Sequence, residues 1–402
     1  MDNWKTTCLV VGGGPAGMMH GYLLARSGVQ TILLEKHSDF LRDFRGDTVH
    51  PSTTELLREL GLLDEFLRDV PHQAMDQLGI GVNGETFDLI DFRRLPTACK
   101  YVVLAPQWDF LNFLAAKATR YPSFRLEMNT EATGLLWDDD RVVGVTARNP
   151  GGHLEIRADV TVACDGRWSV IREQSGLPVT EFPMPIDVLW FRLPRGDSAP
   201  ETLGYIGGGQ IIIAIDRGDY WQCGAIIDKD GFERVQADGL PVFRSKIASA
   251  APFLAASLDS LTDWDQVKLL SVRANRMRKW WLPGLLCIGD AAHAMSPVGG
   301  IGVNYAIADA VAAANALTGP LQEGRLNDGD LRAVQKRRQT PTKVAQTLQR
   351  AQTANLARLR NTQPPLWTLR LLSRFGPVKR LLGRTVGLGL RREHIRTEAA
   401  AD

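Results

Sequence analysis

Glycines at positions 12, 14 and 17 separate an apolar run, Cys8 to Val11, from a helical pattern that opens with Pro15 and Ala16 and stops at Gly28. Spaced as GxGxxG between a strand and a helix, they lack the side chains that would hold backbone amides away from a pyrophosphate at the helix N-terminus. The same spacing also makes tight turns in unrelated α/β folds, so a second feature has to decide. A further apolar run, Thr31 to Leu34, ends at Glu35, 18 positions after Gly17. A carboxylate there accepts hydrogen bonds from both hydroxyls of an adenosine ribose, whereas its plainer role is a solvated charge at a strand end. Together these features predict a βαβ unit that binds a dinucleotide.

Two later segments narrow the choice. Cys164, Asp165, Gly166, Arg167, Trp168, Ser169 and Arg172 follow an apolar strand in the order DGxxSxxR. Gly289, Asp290, Ala291, Ala292, His293, Pro297, Gly300, Gly302 and Asn304 follow another in the order GDAAHxxxPxxGxGxN.

In these three segments, which span residues 8 to 304 in order, the chain resembles the group A flavoprotein monooxygenases of the para-hydroxybenzoate hydroxylase type. The resemblance implies an α/β fold: a Rossmann-like FAD-binding domain interleaved with a smaller mixed β-sheet substrate domain and followed by a helical C-terminal segment. It also implies FAD as cofactor and NAD(P)H as co-substrate. Oxygen would be delivered to an aromatic, quinone or polyketide-like molecule through a flavin C4a-hydroperoxide, in a hydroxylation or epoxidation.

By the same resemblance, Gly12, Gly14, Pro15, Ala16, Gly17, Glu35, Lys36, Arg45, Gln107, Asp165, Gly166, Gly289, Asp290, Pro297, Gly300, Gly302, Val303 and Asn304 are cofactor-binding residues. Asp290 would hold the ribityl chain, and the amides of Val303 and Asn304 would face the flavin pyrimidine oxygen, where a helix N-terminus stabilises negative charge. Arg45 and Pro297 are expected to position the reacting groups, with no covalent nucleophile. Asp165 and Arg172 would serve both FAD and NAD(P)H; the alternative is structural, with Asp165 capping its turn and Arg172 paired to it. His293 is expected to shape its turn rather than to move a proton. Ile301 stands where many relatives carry glutamine or lysine, which suggests a hydrophobic substrate face.

The elements that must position these residues follow from periodicity. Helices are expected over Ser52 to Leu67, Gln107 to Thr119 and from Gly302 to Leu317. Short strands at Arg125 to Met128, Glu131 to Trp137, Val142 to Arg148 and His153 to Ile156 read as a meander, ending in a strand Asp159 to Cys164. Runs at Val188 to Leu193, Gln210 to Asp216 and Tyr220 to Ile227 suggest a mixed or antiparallel sheet, with Gly207 to Gly209 at a turn. The expected FAD-binding domain is 1–73, 100–177 and 281–345, the substrate domain 74–99 and 178–280, and the C-terminal helical segment 346–402. Substrate-contact candidates are Tyr205, Trp190, Trp221 and His72.

Composition sets the outer limits. At 402 residues, 44% hydrophobic and 23% charged, the chain is long enough for a buried cofactor cavity and has the balance of a globular protein. A net charge of +2 argues against a nucleic-acid partner. The five cysteines are scattered and lack a CxxC pair, which predicts neither disulfides nor zinc and suits a reducing cytoplasm. No leader pattern and no run of about 18 apolar residues is expected to anchor it in a membrane. The rival readings are an oxidase or reductase of the same fold, or a membrane-surface flavoprotein bound through the basic, leucine-rich tail after residue 366. A halogenase is disfavoured, since Lys279-Trp280-Trp281-Leu282-Pro283 is not a WxWxIP segment. For that tail, packing of the apolar face on its own domain is the favoured expectation. The residues after Asn304 are expected to leave no room for an appended thioredoxin-like domain.

Overall fold

A computed structural model describes residues 2–41, 48–196, 202–362 and 365–400. The opening strand Asp2–Val11 lies at the centre of an eight-stranded sheet, flanked in parallel by Thr31–Leu34 on one side and Gly152–Ala163 on the other. Phe124–Glu127 extends this sheet in parallel beyond Thr31–Leu34, and Leu285–Cys287 extends it beyond Gly152–Ala163. All four residues of Thr31–Leu34 are buried, as expected of a strand covered on both faces. Helix Pro15–Arg26 packs between the sheet and helix Gly302–Gln322, and helix Gln107–Ala118 packs beside it. This arrangement brings the first and third glycine-rich segments to the same end of the parallel strands.

Several sequence expectations are corrected here. The predicted helix Ser52 to Leu67 is two helices, Pro51–Glu59 and Leu63–Asp69, because Gly61 adopts φ +70° and turns the chain out of the first. The run near Arg125 belongs to the parallel sheet and not to the meander. His153 to Ile156 and Asp159 to Cys164 fuse into one strand, Gly152–Ala163, which pairs with Asp2–Val11 along its length and carries the hairpin Glu131–Asp138/Arg141–Asn149 on its first half.

A second, seven-stranded sheet runs Lys268–Leu270, Ile186–Pro194, Tyr220–Asp228, Gln210–Asp216, Gly204–Gly207, Gln77–Val82, Glu85–Asp91. It is antiparallel except where Gly204–Gly207 meets Gln77–Val82. Strand alternation divides its two faces. Leu189, Phe191, Ile212, Trp221 and Ala225 face helix Leu240–Ala250 and the 3₁₀ segment Pro252–Ser260, a covering layer that periodicity does not reveal. Ile206, Ile211 and Ile226 point to the other side, where Val298 packs on them.

After Gly302–Gln322 the chain forms helices Asp328–Asn361, Leu366–Arg374 and Gly376–Leu388. The first of these runs straight through residues 345 and 346. The helical C-terminal segment is thus present as expected and ends at Leu388; residues 389–400 run without helix back to the dinucleotide half. There the Ala400 amide donates to Arg26 O at 2.8 Å, and Arg26 Nη1 donates to Thr397 O at 2.9 Å.

Candidate functional site

The turn between the first strand and helix is set by close backbone approach. A Cβ on Gly12, which has φ +103°, would lie 2.5 Å from Cys164 O, and one on Gly17 would lie 1.9 Å from Gly12 O. Gly14 differs: a Cβ there meets no atom within 4 Å, so the space in front of it is open. The helix that starts at Pro15 has no side-chain cap and no acidic residue in its first turn, which leaves its amides and dipole directed at that space. Glu35 is buried at the tip of the second strand. One carboxylate oxygen accepts from the Gly13 amide at 3.0 Å, and the other accepts from the His37 amide at 3.0 Å and is bonded to the His37 ring. Lys36 beside it is exposed.

The second fingerprint reaches the third through arginines. Arg172 donates to Ala291 O at 2.9 Å and to Arg167 O at 2.8 Å, and Arg167 lies 3.6 Å from the Asp290 carboxylate. The pairing of Arg172 with Asp165 is therefore through space only, and its hydrogen bonds staple the Asp165-Gly166 turn to helix Asp290–His293. Asp165 Oδ2 accepts the Ile171 amide at 3.2 Å, while buried Oδ1 has no partner among the described residues. Burial raises its carboxyl above the usual range, against hydrogen bonds that lower it. A Cβ on Gly166 would meet nothing within 4 Å.

Gly289 sits where all three segments converge. A Cβ there would lie 3.1 Å from Ala16 Cβ and 3.3 Å from Ala306 Cβ. Its amide donates to Asp309 Oδ2 at 3.1 Å, and the His293 ring bonds the same oxygen. Asp309 Oδ1 accepts from Arg338 Nε at 2.8 Å, and Arg338 reaches Glu393 at 3.2 Å. All four side chains are buried. Burial alone would raise the Asp309 carboxyl, but the His293 and Arg338 charges outweigh it and hold it below the usual carboxylate range. His293 is thus engaged in structure, which agrees with the turn-shaping role expected for it. Sequence reasoning missed Asp309, Arg338 and Glu393; the one available signal was a lone acid within the alanine-rich run of helix Gly302–Gln322.

That helix starts after Pro297 and Gly300 with no side-chain cap at Ile301 and no acid in its first turn. The Asn304 side chain accepts from the His50 amide at 2.8 Å and from Thr53 at 2.7 Å, and donates to Thr48 O at 3.0 Å. Thr48 in turn donates to Gly300 O at 2.8 Å. The Thr48–Thr53 segment is thereby tied to the start of the helix through the Asn304 side chain, while the amides of Gly302, Val303 and Asn304 precede the first intrahelical bond, Tyr305 N to Ile301 O. Arg45 lies outside the described residues. Gln107 opens helix Gln107–Ala118 and is half-buried. Two residues on, burial holds the Asp109 carboxyl above its usual range, against the opposing charge of Arg217 in the turn after Gln210–Asp216.

Of the four aromatic candidates, Tyr205 and Trp221 belong to the core under helix Leu240–Ala250, and His72 is exposed with its ring donating to Val70 O. Trp190 lies on the opposite face, against Gly224. Arg273 stacks on Trp168 at 4.2 Å, joining the second fingerprint to the segment after the edge strand.

These features fit FAD. An open glycine turn, an uncapped helix start, a buried ribose-side carboxylate and an unpartnered buried oxygen at Asp165 form one contiguous polar cradle. The profile of a family described as an FAD binding domain matches residues 5–348. The chain belongs to this family. It is an FAD-dependent monooxygenase of the para-hydroxybenzoate hydroxylase type, a class whose usual electron donor is NAD(P)H. It is 33% identical over 350 residues to 6-methylpretetramide 4-monooxygenase of Streptomyces rimosus, covering 87% of this chain and 84% of that one. Rifampicin monooxygenase of Streptomyces venezuelae is 28% identical over 312 residues, 75% of this chain, but the chain spans only 62% of that longer protein. OxyS anhydrotetracycline hydroxylase from Streptomyces rimosus shares the fold, with a TM-score of 0.77 at 21% identity over 95% of this chain and 76% of that one. Among the described residues no helix is long and apolar enough to cross a membrane.

Proposed function

We propose that this monooxygenase inserts one oxygen atom into a hydrophobic, polycyclic aromatic or polyketide-like molecule. The observation that carries this reading is the isoleucine face of the second sheet, Ile206, Ile211 and Ile226, in an apolar cluster against which Val298 packs from the turn Val298–Gly300 that precedes helix Gly302–Gln322. An apolar wall beside a flavin site orients a flat ring system by shape and keeps water from the reacting centre. The similarity to 6-methylpretetramide 4-monooxygenase points to the same substrate class.

Bound in the cradle, FAD would pass electrons from NAD(P)H to oxygen and deliver one oxygen atom to the substrate. The chain's part is placement. Gly12, Gly14, Pro15, Ala16 and Gly17 would present amides to the pyrophosphate, and Glu35 would accept from the ribose, with Lys36 at the rim. Asp165, Gly166, Gly289 and Asp290 would line the ribityl side, with Arg45 and Gln107 closing on the cofactor. Pro297, Gly300, Gly302, Val303 and Asn304 would bring a helix N-terminus to the flavin ring, stabilising negative charge on its reduced form. All five cysteines are buried and unpaired, which supports work in a reducing cytoplasm.

The test is consumption of NADPH and NADH by FAD-loaded protein with a panel of naphthols, anthrones and linear tetracyclic phenols under ¹⁸O₂. One labelled oxygen in the product per NAD(P)H consumed is the expected result. Turnover confined to monocyclic phenols would overturn the substrate class.

A further inference from the structure

The two helices Leu366–Arg374 and Gly376–Leu388 lie along Glu85–Asp91, the edge strand of the second sheet. They are seated by Leu369, Gly383 and Gly387, which are buried; a Cβ on Gly383 would lie 2.0 Å from Asp91 O, so the helix backbone rests directly on the strand. Packing on its own domain was the expectation for the apolar side of this tail, yet most of its large apolar residues point outward. Trp367 is 68% exposed, Leu371 61%, Phe375 54% and Leu381 64%. Trp367, Leu371 and Phe375 recur every four residues, so they form one stripe along the first helix and its end.

Charge accompanies this stripe. From Leu366 to Arg392 the chain has no Asp or Glu and seven cations, Arg370, Arg374, Lys379, Arg380, Arg384, Arg391 and Arg392. Arg370 pairs with Glu85, whereas Arg374, Lys379 and Arg384 make no ion pair among the described residues. Between the start of the second of these helices and the strand end opens a hollow of about 440 Å³ lined by Asp91, Arg93, Arg94, Gly376 and Arg380. Asp91 is already bound by Arg93 through three hydrogen bonds, one from its amide and two from its guanidinium, so the remaining donors of the hollow favour an anion.

We propose that this face docks on an anionic phospholipid surface, with the Trp367, Leu371, Phe375 and Leu381 side chains entering the interface and a lipid phosphate seated in the Arg93, Arg94 and Arg380 hollow. Protruding apolar side chains interspersed with cations match a bilayer, whose interface accepts both. A second copy of the chain fits poorly. A two-fold interface sets the same patch against itself, and this patch would face its own cations. The placement would bring a hydrophobic substrate dissolved in the bilayer to the edge of the sheet whose other strands carry the isoleucine wall.

The experiment is sedimentation of full-length, FAD-loaded protein with vesicles of phosphatidylcholine alone and with about 30% phosphatidylglycerol added, at low and high salt. Binding is expected only to the anionic vesicles and should weaken at high salt. Each cation near an anionic surface strengthens association about fivefold, so R374Q/K379Q/R384Q should weaken it roughly a hundredfold. W367S/F375S should also lose binding, and both variants should keep the bound-FAD spectrum because Trp367, Arg374, Phe375 and Arg384 are exposed and Lys379 is only half-buried. Protein that stays in the supernatant with anionic vesicles overturns the proposal, as does a triple variant that binds within about twofold of the parent. A concentration-dependent dimer abolished by W367S/F375S, with no vesicle binding, would assign the face to a second copy instead.

Discussion

At the scale of single residues, Gly12 and Gly14 make opposite demands although they belong to one motif. Gly12 has a positive φ and a neighbouring backbone oxygen only 2.5 Å from where a Cβ would stand, while Gly14 has neither constraint. Alanine at 12 should therefore unsettle the fold itself, by ~1–3 kcal/mol from backbone strain before the clash is counted. Alanine at 14 should leave the apoprotein melting temperature unchanged and weaken FAD binding about tenfold or more, because the methyl occupies the space meant for the pyrophosphate. Fluorescence titration with FAD alongside calorimetry of the apoprotein separates the two. A second residue-scale expectation concerns His20 and His50, both fully buried, their rings donating to Ala310 O and Val386 O. Burial pushes each down to about 4 despite that hydrogen bond. The unfolded chain takes up these protons near pH 6.5 and the folded one only near 4, so stability is complete above about 6.5 and falls as pH drops through that window. H20N/H50N keeps a donor at each site and should flatten urea midpoints between pH 6.5 and 4, by up to about 1.4 kcal/mol per pH unit for each histidine.

At the scale of elements, what the sequence disclosed and what it withheld divide along the range of the interactions. The strand, turn and helix around Gly12 to Gly17 were legible because their signals are local: an apolar run, three glycines and a helix start within a few residues. The extent of Gly152–Ala163 was not, since its polar middle is continued as strand by pairing with Asp2–Val11, about 150 residues earlier in the chain. Likewise the Asp309, Arg338 and Glu393 network joins three distant segments, none of which carries a motif of its own. The helix Gly376–Leu388 shows how such a long-range constraint can be tested. G383A sets a methyl against the Asp91 carbonyl, so the helix must lift from the edge strand. Limited proteolysis should then cut between the two C-terminal helices and the sheet several times faster, with the FAD spectrum retained; an unchanged digestion pattern would mean that the helix is held by other contacts.

For the whole molecule, the tail after Leu388 links the C-terminus to the cofactor cradle. Glu393 accepts from Arg337 at 2.8 Å and from Arg338, Arg338 holds Asp309, and Asp309 holds the Gly289 amide at the point where the three fingerprints meet. Further along, Ser27 Oγ donates to Glu398 O at 2.7 Å and His394 pairs with Glu59, so the tail is also fastened to the ends of helices Pro15–Arg26 and Pro51–Glu59. Removing one member of a buried charge pair typically costs ~3–5 kcal/mol, because the partner is left uncompensated. E393A should therefore lower the melting temperature of apo and FAD-loaded protein alike, since every bond of the network joins protein groups to one another. G14A should do the reverse, leaving the apoprotein unchanged and shrinking only the stabilisation that FAD adds, which grows with the ratio of free FAD to its dissociation constant. Melting both variants with and without excess FAD distinguishes a network that shapes the cradle from a residue that touches the ligand. If E393A instead spared the apoprotein and reduced only the FAD-dependent gain, the chain from Glu393 to Gly289 would act on cofactor affinity directly, and the tail would be part of the binding site rather than its support.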